Sequence, residues 1–217
     1  MFKRCVKYLS QLRNRLYSAF IPTERRWAEA QSRYVTWAGA PMDEKYLEYV
    51  RRVGSDFSEF VGEPTRLIDV GCGNGVFGGV SYSKAGYIPL KRGNGYILGV
   101  DPLPTVYPIP WISAFKQGKI EDMRLSGFNE AAFVTTFDHI ADPDTALNNL
   151  KLAGVKIIYL WETLYLSHNE GDRDHPHHYT YVELATLLRK YGFKFTRTEK
   201  IDGNNTSEGW FIEARTL

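Results

Sequence analysis

Residues 66–75 read Arg-Leu-Ile-Asp-Val-Gly-Cys-Gly-Asn-Gly, an apolar run that passes directly into three glycines at alternate positions. The run Arg66–Val70 predicts a buried strand, and the glycines predict a sharp turn leading into a helix. Without a Cβ, the backbone at Gly71, Gly73 and Gly75 can turn tightly and approach a ligand closely. A helix starting just beyond would present free N–H groups to that ligand. A second apolar run, Tyr96-Ile-Leu-Gly-Val-Asp101, ends in a carboxylate. An Asp at the tip of a second strand suits the hydroxyls of a ribose held over the glycine turn.

From Gly62 onward, short apolar runs alternate with helical patterns. Strands are expected at Arg66–Val70, Gly95–Val100, Ala131–Phe137 and Val155–Trp161, with a weaker one near Ala114–Ile120. Helical patterns fall at Pro143–Leu152 and Tyr181–Tyr191. This alternation predicts a Rossmann-like, doubly wound α/β fold with a mostly parallel seven-stranded sheet. Lys194–Lys200 and Gly209–Ala214, joined by the polar turn Asp202-Gly203-Asn204-Asn205, predict a C-terminal antiparallel hairpin at the sheet edge.

The first sixty residues are helical in texture, through Glu24–Trp37 and Asp43–Phe60. Residues 1–60 are therefore expected as an N-terminal helical cap on a domain spanning 61–217. Phe2, Val6, Leu9, Leu12 and Leu16 recur at helical spacing among Lys3, Arg4, Lys7, Arg13 and Arg15. A basic amphipathic helix of this kind covers its own domain's apolar surface or makes a peripheral membrane contact through residues 1–20.

Composition narrows the function classes. Charged residues make up 24% and hydrophobic residues 43% of 217, the proportions of a globular protein rather than a disordered one. The net charge is only +2 and no nucleic-acid-binding signature is present, so no nucleic-acid partner is expected. Cys5 and Cys72 are too few for a disulfide framework and point to a reducing, cytoplasmic location. No apolar run reaches transmembrane length. The sequence does not specify an oligomeric state.

Gly73-Asn-Gly75-Val-Phe-Gly78 also satisfies the glycine pattern of a dinucleotide site. Asp69 argues against that reading, because a carboxylate at the strand end would face the pyrophosphate's negative charge. It suits the ammonium of a zwitterionic amino-acid tail instead. No separate substrate domain is expected after this one.

Asp69-Val-Gly-Cys-Gly-Asn-Gly75 resembles motif I of class I S-adenosylmethionine-dependent methyltransferases, and Val100-Asp101-Pro102 resembles motif II. Ile120-Glu121-Asp122-Met123 is similar to the family's segment against adenine. Phe137-Asp-His-Ile-Ala-Asp-Pro-Asp-Thr-Ala-Leu147 is similar to the segment after strand four, and Tyr179–Phe193 to the late helix leading into strand six. The set resembles the type-11-like subgroup, whose members modify quinones, lipids, sugars and natural products. The resemblance implies S-adenosylmethionine as cofactor, held by Asp69, Gly71, Cys72, Gly73, Gly75, Asp101, Pro102, Ile120, Glu121 and Phe137. Two departures stand out. Asp101 lies farther beyond Gly75 than the usual interval of about 20 residues, through an expected loop at Tyr87–Asn94. Lys119 also stands where the family often carries an acid.

Methyl transfer to a hydroxyl requires alignment, exclusion of water and removal of a proton. His139 and Glu162 are expected just past strands four and five, where ligands sit in such sheets, with His139 as base and Glu162 orienting it. Some sugar O-methyltransferases that the chain resembles place a histidine and an acid at these points. A small polar acceptor, such as a sugar or glycan intermediate, is the expected substrate. Alternatives are a lipid or quinone-like acceptor at a membrane surface, or a non-catalytic scaffold. The segment Asp174-His175-Pro-His177-His178-Tyr179-Thr180 matches no standard zinc spacing, so no metal is expected. It is read as a loop over the acceptor, with Thr180 capping the next helix. His178, Tyr179, Tyr165 and Trp37 are candidate substrate contacts, and Trp161 and Tyr34 are further aromatics that line either the pocket or the core.

Overall fold

The structure is a computed structural model describing residues 44–72, 95–102, 112–167, 175–203 and 207–217. Its elements are α1 (Glu44–Val61), β1 (Arg66–Val70), β2 (Tyr96–Asp101), β3 (Ala114–Gln117), β4 (Glu130–Val134), α2 (Pro143–Ala153), β5 (Ile157–Tyr165), α3 (Tyr181–Lys190), β6 (Phe193–Gly203) and β7 (Ser207–Thr216). Among the described residues the seven strands form one sheet in the order β3-β2-β1-β4-β5-β7-β6. The first five run parallel, and β7 pairs antiparallel with both β5 and β6. The expected doubly wound sheet with a terminal antiparallel hairpin is the observed one.

The central strands β1, β2, β4 and β5 are largely buried because both faces of the sheet are covered there. In β1, Leu67 faces a layer with Val53, Phe57, Phe60 and Val61 of α1, together with Ile97, Trp161 and Phe211. Ile68 and Val70 face the opposite layer, with Leu147 and Leu150 of α2 and Leu184 and Leu188 of α3. Helix α1, the last part of the expected cap, thus supplies one helical layer of the sheet domain itself. Trp161 belongs to that layer and is buried against Phe57 and Phe211.

The helix boundaries follow local chemistry. Asp142 caps α2 by accepting the Thr145 amide at 3.0 Å, and Pro143 opens the first turn, where its missing N–H costs nothing. Gly154 ends α2 in the left-handed region at φ 97°, which glycine adopts without strain. Thr180 and Glu183 form the reciprocal capping box of α3, as the spacing predicts. The short strand β3 lies at one edge and β6 at the other.

Candidate active site

The parallel strands bring the ends of β1, β2, β4 and β5 to one edge of the sheet. Asp69, the penultimate residue of β1, and Asp101, the last residue of β2, are both buried, at 3% and 6% exposure. Gly71 takes a positive φ of 69°, and its amide donates to the Val100 carbonyl at 2.7 Å, tying the turn to β2. Cys72 is buried beside them. Its thiol is pushed up by burial and further by the Asp69 and Asp101 carboxylates. A Cβ on Gly71 would lie 2.1 Å from Thr136 Cγ2, so the turns after β1 and β4 touch through the space only glycine leaves. The resulting cradle pairs a close backbone approach with two buried carboxylates, as a nucleoside with an amino-acid tail requires. Gly73 and Gly75 lie outside the described residues, as do the helix expected after them and the Tyr87–Asn94 loop.

The other expected cofactor residues divide. Pro102 borders the cradle, partly exposed, and its carbonyl accepts from Gln117 Nε2 at 3.3 Å. Ile120 is buried in the core at the start of the short turn Ile120–Asp122. Glu121 Oε1 accepts the amides of Ala141 and Asp142 at 3.1 and 3.3 Å, which ties that turn to the start of α2. Burial pushes the Glu121 carboxyl up. Asn149 Nδ2 adds a second tie, donating to the carbonyls of Ile120 and Glu121 at 3.1 and 2.7 Å. Phe137 is fully buried, with its ring edge-on to Phe133 and beside Tyr179. Its side chain belongs to the core cluster on that face of the sheet.

The two expected catalytic residues are close together, in an unexpected arrangement. Strand β4 ends at Val134 rather than Phe137, because Thr135 turns to a φ of 50°, a costly conformation for a β-branched residue. The turn Phe137–His139 follows. Glu162 Oε1 accepts the amides of Thr136 and Phe137 at 2.8 and 2.6 Å and so holds this turn. Burial, with the Asp138 carboxylate nearby, pushes the Glu162 carboxyl well above the ordinary range. The carboxylate facing the His139 ring is that of Asp138, whose Oδ1 lies 3.6 Å from His139 Nε2. Glu162 is engaged with the backbone amides of Thr136 and Phe137, beside the turn that carries Asp138 and His139.

The segment at 175–180 closes over the same edge. The His177 amide donates to the Asp138 carbonyl at 3.1 Å, and the Tyr165 amide donates to the Tyr179 carbonyl at 2.8 Å. The His178 ring stacks on Tyr165 with centroids 3.9 Å apart. Tyr179 stacks on His177 and carries a buried hydroxyl with no hydrogen-bond partner among the described residues, and burial raises its ionisation well above the phenol range. His175 lies beside His139, with ring centroids 4.9 Å apart. Trp37 and Tyr34 lie outside the described residues. The sequence reading missed Asp138, Thr136 and the proximity of His175. The adjacency of Asp138 and His139 after a predicted strand is the one available signal, and nothing in the sequence links His175 to it.

The strand order, the parallel core and the terminal hairpin are those of the class I S-adenosylmethionine-dependent methyltransferase fold. No protein-family model and no curated protein matches the sequence. Among solved structures, the chain is similar to a 1,6-didemethyltoxoflavin N1-methyltransferase from Burkholderia thailandensis, determined with its acceptor and S-adenosylhomocysteine bound. The TM-score is 0.54 at 16% identity, covering 77% of this chain and 78% of that one. The magnesium protoporphyrin IX methyltransferase of Synechocystis PCC 6803, with bound S-adenosylmethionine, is similar over 96% of this chain and 97% of its own at TM-score 0.52 and 11% identity. The 4+2 cyclase SpnF is similar at TM-score 0.56 and 14% identity, over 76% of this chain and 80% of that one. At these identities the likeness is one of fold, and the inclusion of a cyclase shows that this fold carries more than one reaction.

Proposed function

We propose that the chain binds S-adenosylmethionine in the cradle of Asp69, Gly71, Cys72 and Asp101 and methylates an oxygen of a small polar acceptor. A sugar or glycan intermediate is the favoured class. The observation that carries this reading is the convergence on one sheet edge of a glycine turn, two buried carboxylates and an imidazole backed by a carboxylate. Asp101 accepts from the ribose hydroxyls, and Asp69 receives the ammonium of the amino-acid tail. The backbone of Gly71 and Cys72 lines the approach, and Pro102 and the Ile120–Asp122 turn border the base. Bound there, the cofactor supplies a methyl group already activated by a sulfonium.

The remaining work falls to the acceptor side. An amine acceptor needs little help at neutral pH, whereas a hydroxyl must lose a proton as it attacks. In the cation-free chain His139 takes that proton, and Asp138, 3.6 Å behind Nε2, stabilises the imidazolium until the proton passes to water. Glu162 keeps the turn in place. Tyr165, His178 and Tyr179 form the wall that orients the acceptor and excludes water.

The test combines binding with turnover. S-adenosylmethionine and S-adenosylhomocysteine should raise the melting temperature by mass action, and NAD and NADP should not. A panel of hydroxyl-bearing sugars, amines and quinols should then show acceptor-dependent release of S-adenosylhomocysteine with the sugars. Tight nicotinamide binding without response to the sulfonium ends the reading. Binding without turnover on any acceptor supports the scaffold instead.

A further inference from the structure

We propose that Asp138, His139 and His175 form a binding site for one divalent transition-metal ion on the acceptor side of the cleft. The proposal concerns the site itself. That the ion would hold an acceptor oxygen rests on the methyltransferase reading above.

The spacing carries the first part. One donor atom from each of the three residues lies within 4.8 Å of the others, and Asp138 Oδ1 and His139 Nε2 are 3.6 Å apart. Ligands bound at about 2.0–2.2 Å lie roughly 3–3.6 Å apart at tetrahedral or octahedral angles. The pair at 3.6 Å is too far apart to hydrogen-bond and already spaced to share an ion.

The second observation is independent of that spacing. Asp138 Oδ1 is buried and has no hydrogen-bond donor among the described residues, and only 10% of the side chain is exposed. Glu162, a second buried carboxylate, lies close enough to be affected by Asp138. Among the described residues neither is paired with a lysine or arginine. A buried carboxylate oxygen without a donor or counter-charge is costly. A cation among Asp138, His139 and His175 removes that cost.

The backbone holds these donors firmly. Glu162 braces the Thr136–Phe137 amides on one side, and the His177 amide pins the neighbouring loop to the Asp138 carbonyl on the other. Outer contacts of this kind fix the direction of metal ligands. Two imidazoles with one carboxylate favour manganese, iron, cobalt, nickel or zinc over magnesium or calcium. Three protein ligands leave a coordination position open, which an acceptor oxygen can fill.

The probes are Co(II), followed by its visible d–d absorption, and Zn(II), followed by calorimetry. Both are titrated into the full, tag-free chain after treatment with EDTA and without S-adenosylmethionine. One equivalent should bind. His139→Ala, His175→Ala and Asp138→Asn should each weaken binding by at least about tenfold, the least expected when even a supporting residue of a metal site is lost. Thermal unfolding in EDTA identifies any variant that fails to fold. In that case the wild-type Co(II) spectrum decides, since coordination by two imidazoles and a carboxylate differs from aqueous cobalt. Absence of stoichiometric binding, or unchanged binding in a folded His139→Ala/His175→Ala chain, overturns the proposal. Because the metal readout needs no cofactor, Co(II) binding by a chain that ignores S-adenosylmethionine refutes the methyltransferase reading alone. The reverse result refutes the metal site alone.

Discussion

Glu162 offers a sharp test of how the site is held together. Its Oε1 accepts the buried amides of Thr136 and Phe137 at 2.8 and 2.6 Å, next to Thr135 in its strained conformation. Glu162→Ala leaves both amides without an acceptor, at about 1–3 kcal/mol each. The same change removes a buried carboxylate that is desolvated and repelled by Asp138, which offsets part of the loss. The expected net destabilisation is about 2–4 kcal/mol. Glu162→Gln keeps an oxygen for both amides and discards the charge, so it should cost about 1 kcal/mol or less at neutral pH. The two variants also differ in their dependence on pH. The folded-state ionisation of Glu162 is raised, so as pH rises above the ordinary carboxylate value of 4.5 the unfolded chain ionises first. Wild-type stability therefore falls through that window up to the folded-state ionisation, and the glutamine variant has no such loss. Urea unfolding in EDTA at several pH values from 4 to 8 measures both effects. The reasoning is refuted if the alanine variant is as stable as wild type, or if the glutamine variant loses ground to wild type as pH rises.

Three further outcomes follow from the cradle and the acceptor side. Asp101→Ala should weaken S-adenosylhomocysteine binding by about 1.5–3 kcal/mol, the range for a hydrogen bond to a charged group, as measured by titration calorimetry. Gly71→Ala should destabilise the fold by about 2–4 kcal/mol, combining a left-handed non-glycine residue with overpacking against Thr136. Thermal unfolding checks the loss, and an unchanged midpoint would show that the two turns do not touch. His139→Ala should lower turnover by about 10²–10⁴-fold with cofactor affinity unchanged, the range for losing a general base. Single-turnover kinetics separates the two effects, and full activity would move the base elsewhere, first to His178.

Much of the fold was legible because its signals are local. The apolar run Arg66–Val70, the turn glycine Gly71 and the Thr180–Glu183 capping pair each act over a few residues, and the structure has them at those positions. Asp69 and Asp101 were legible for the same reason, as polar residues where a buried strand ends. Element ends were less so. Strand β5 continues past Trp161 to Tyr165 because β7 pairs with it across Glu162–Trp210 and on to Tyr165–Ser207, a partner supplied about fifty residues later. Strand β4 stops early because Thr135 turns and Glu162 captures the amides beyond it.

By itself the sequence determined the layered α/β plan, the glycine turn with its two acids, and the presence of histidines near the acceptor edge. Only the tertiary structure decided what those polar residues do. Folding made Glu162 a brace, set Asp138 behind His139 and brought His175 to the same point. Period, cap and turn chemistry are properties of neighbouring residues, whereas a carboxylate's role depends on which donors the fold places around it once water is excluded.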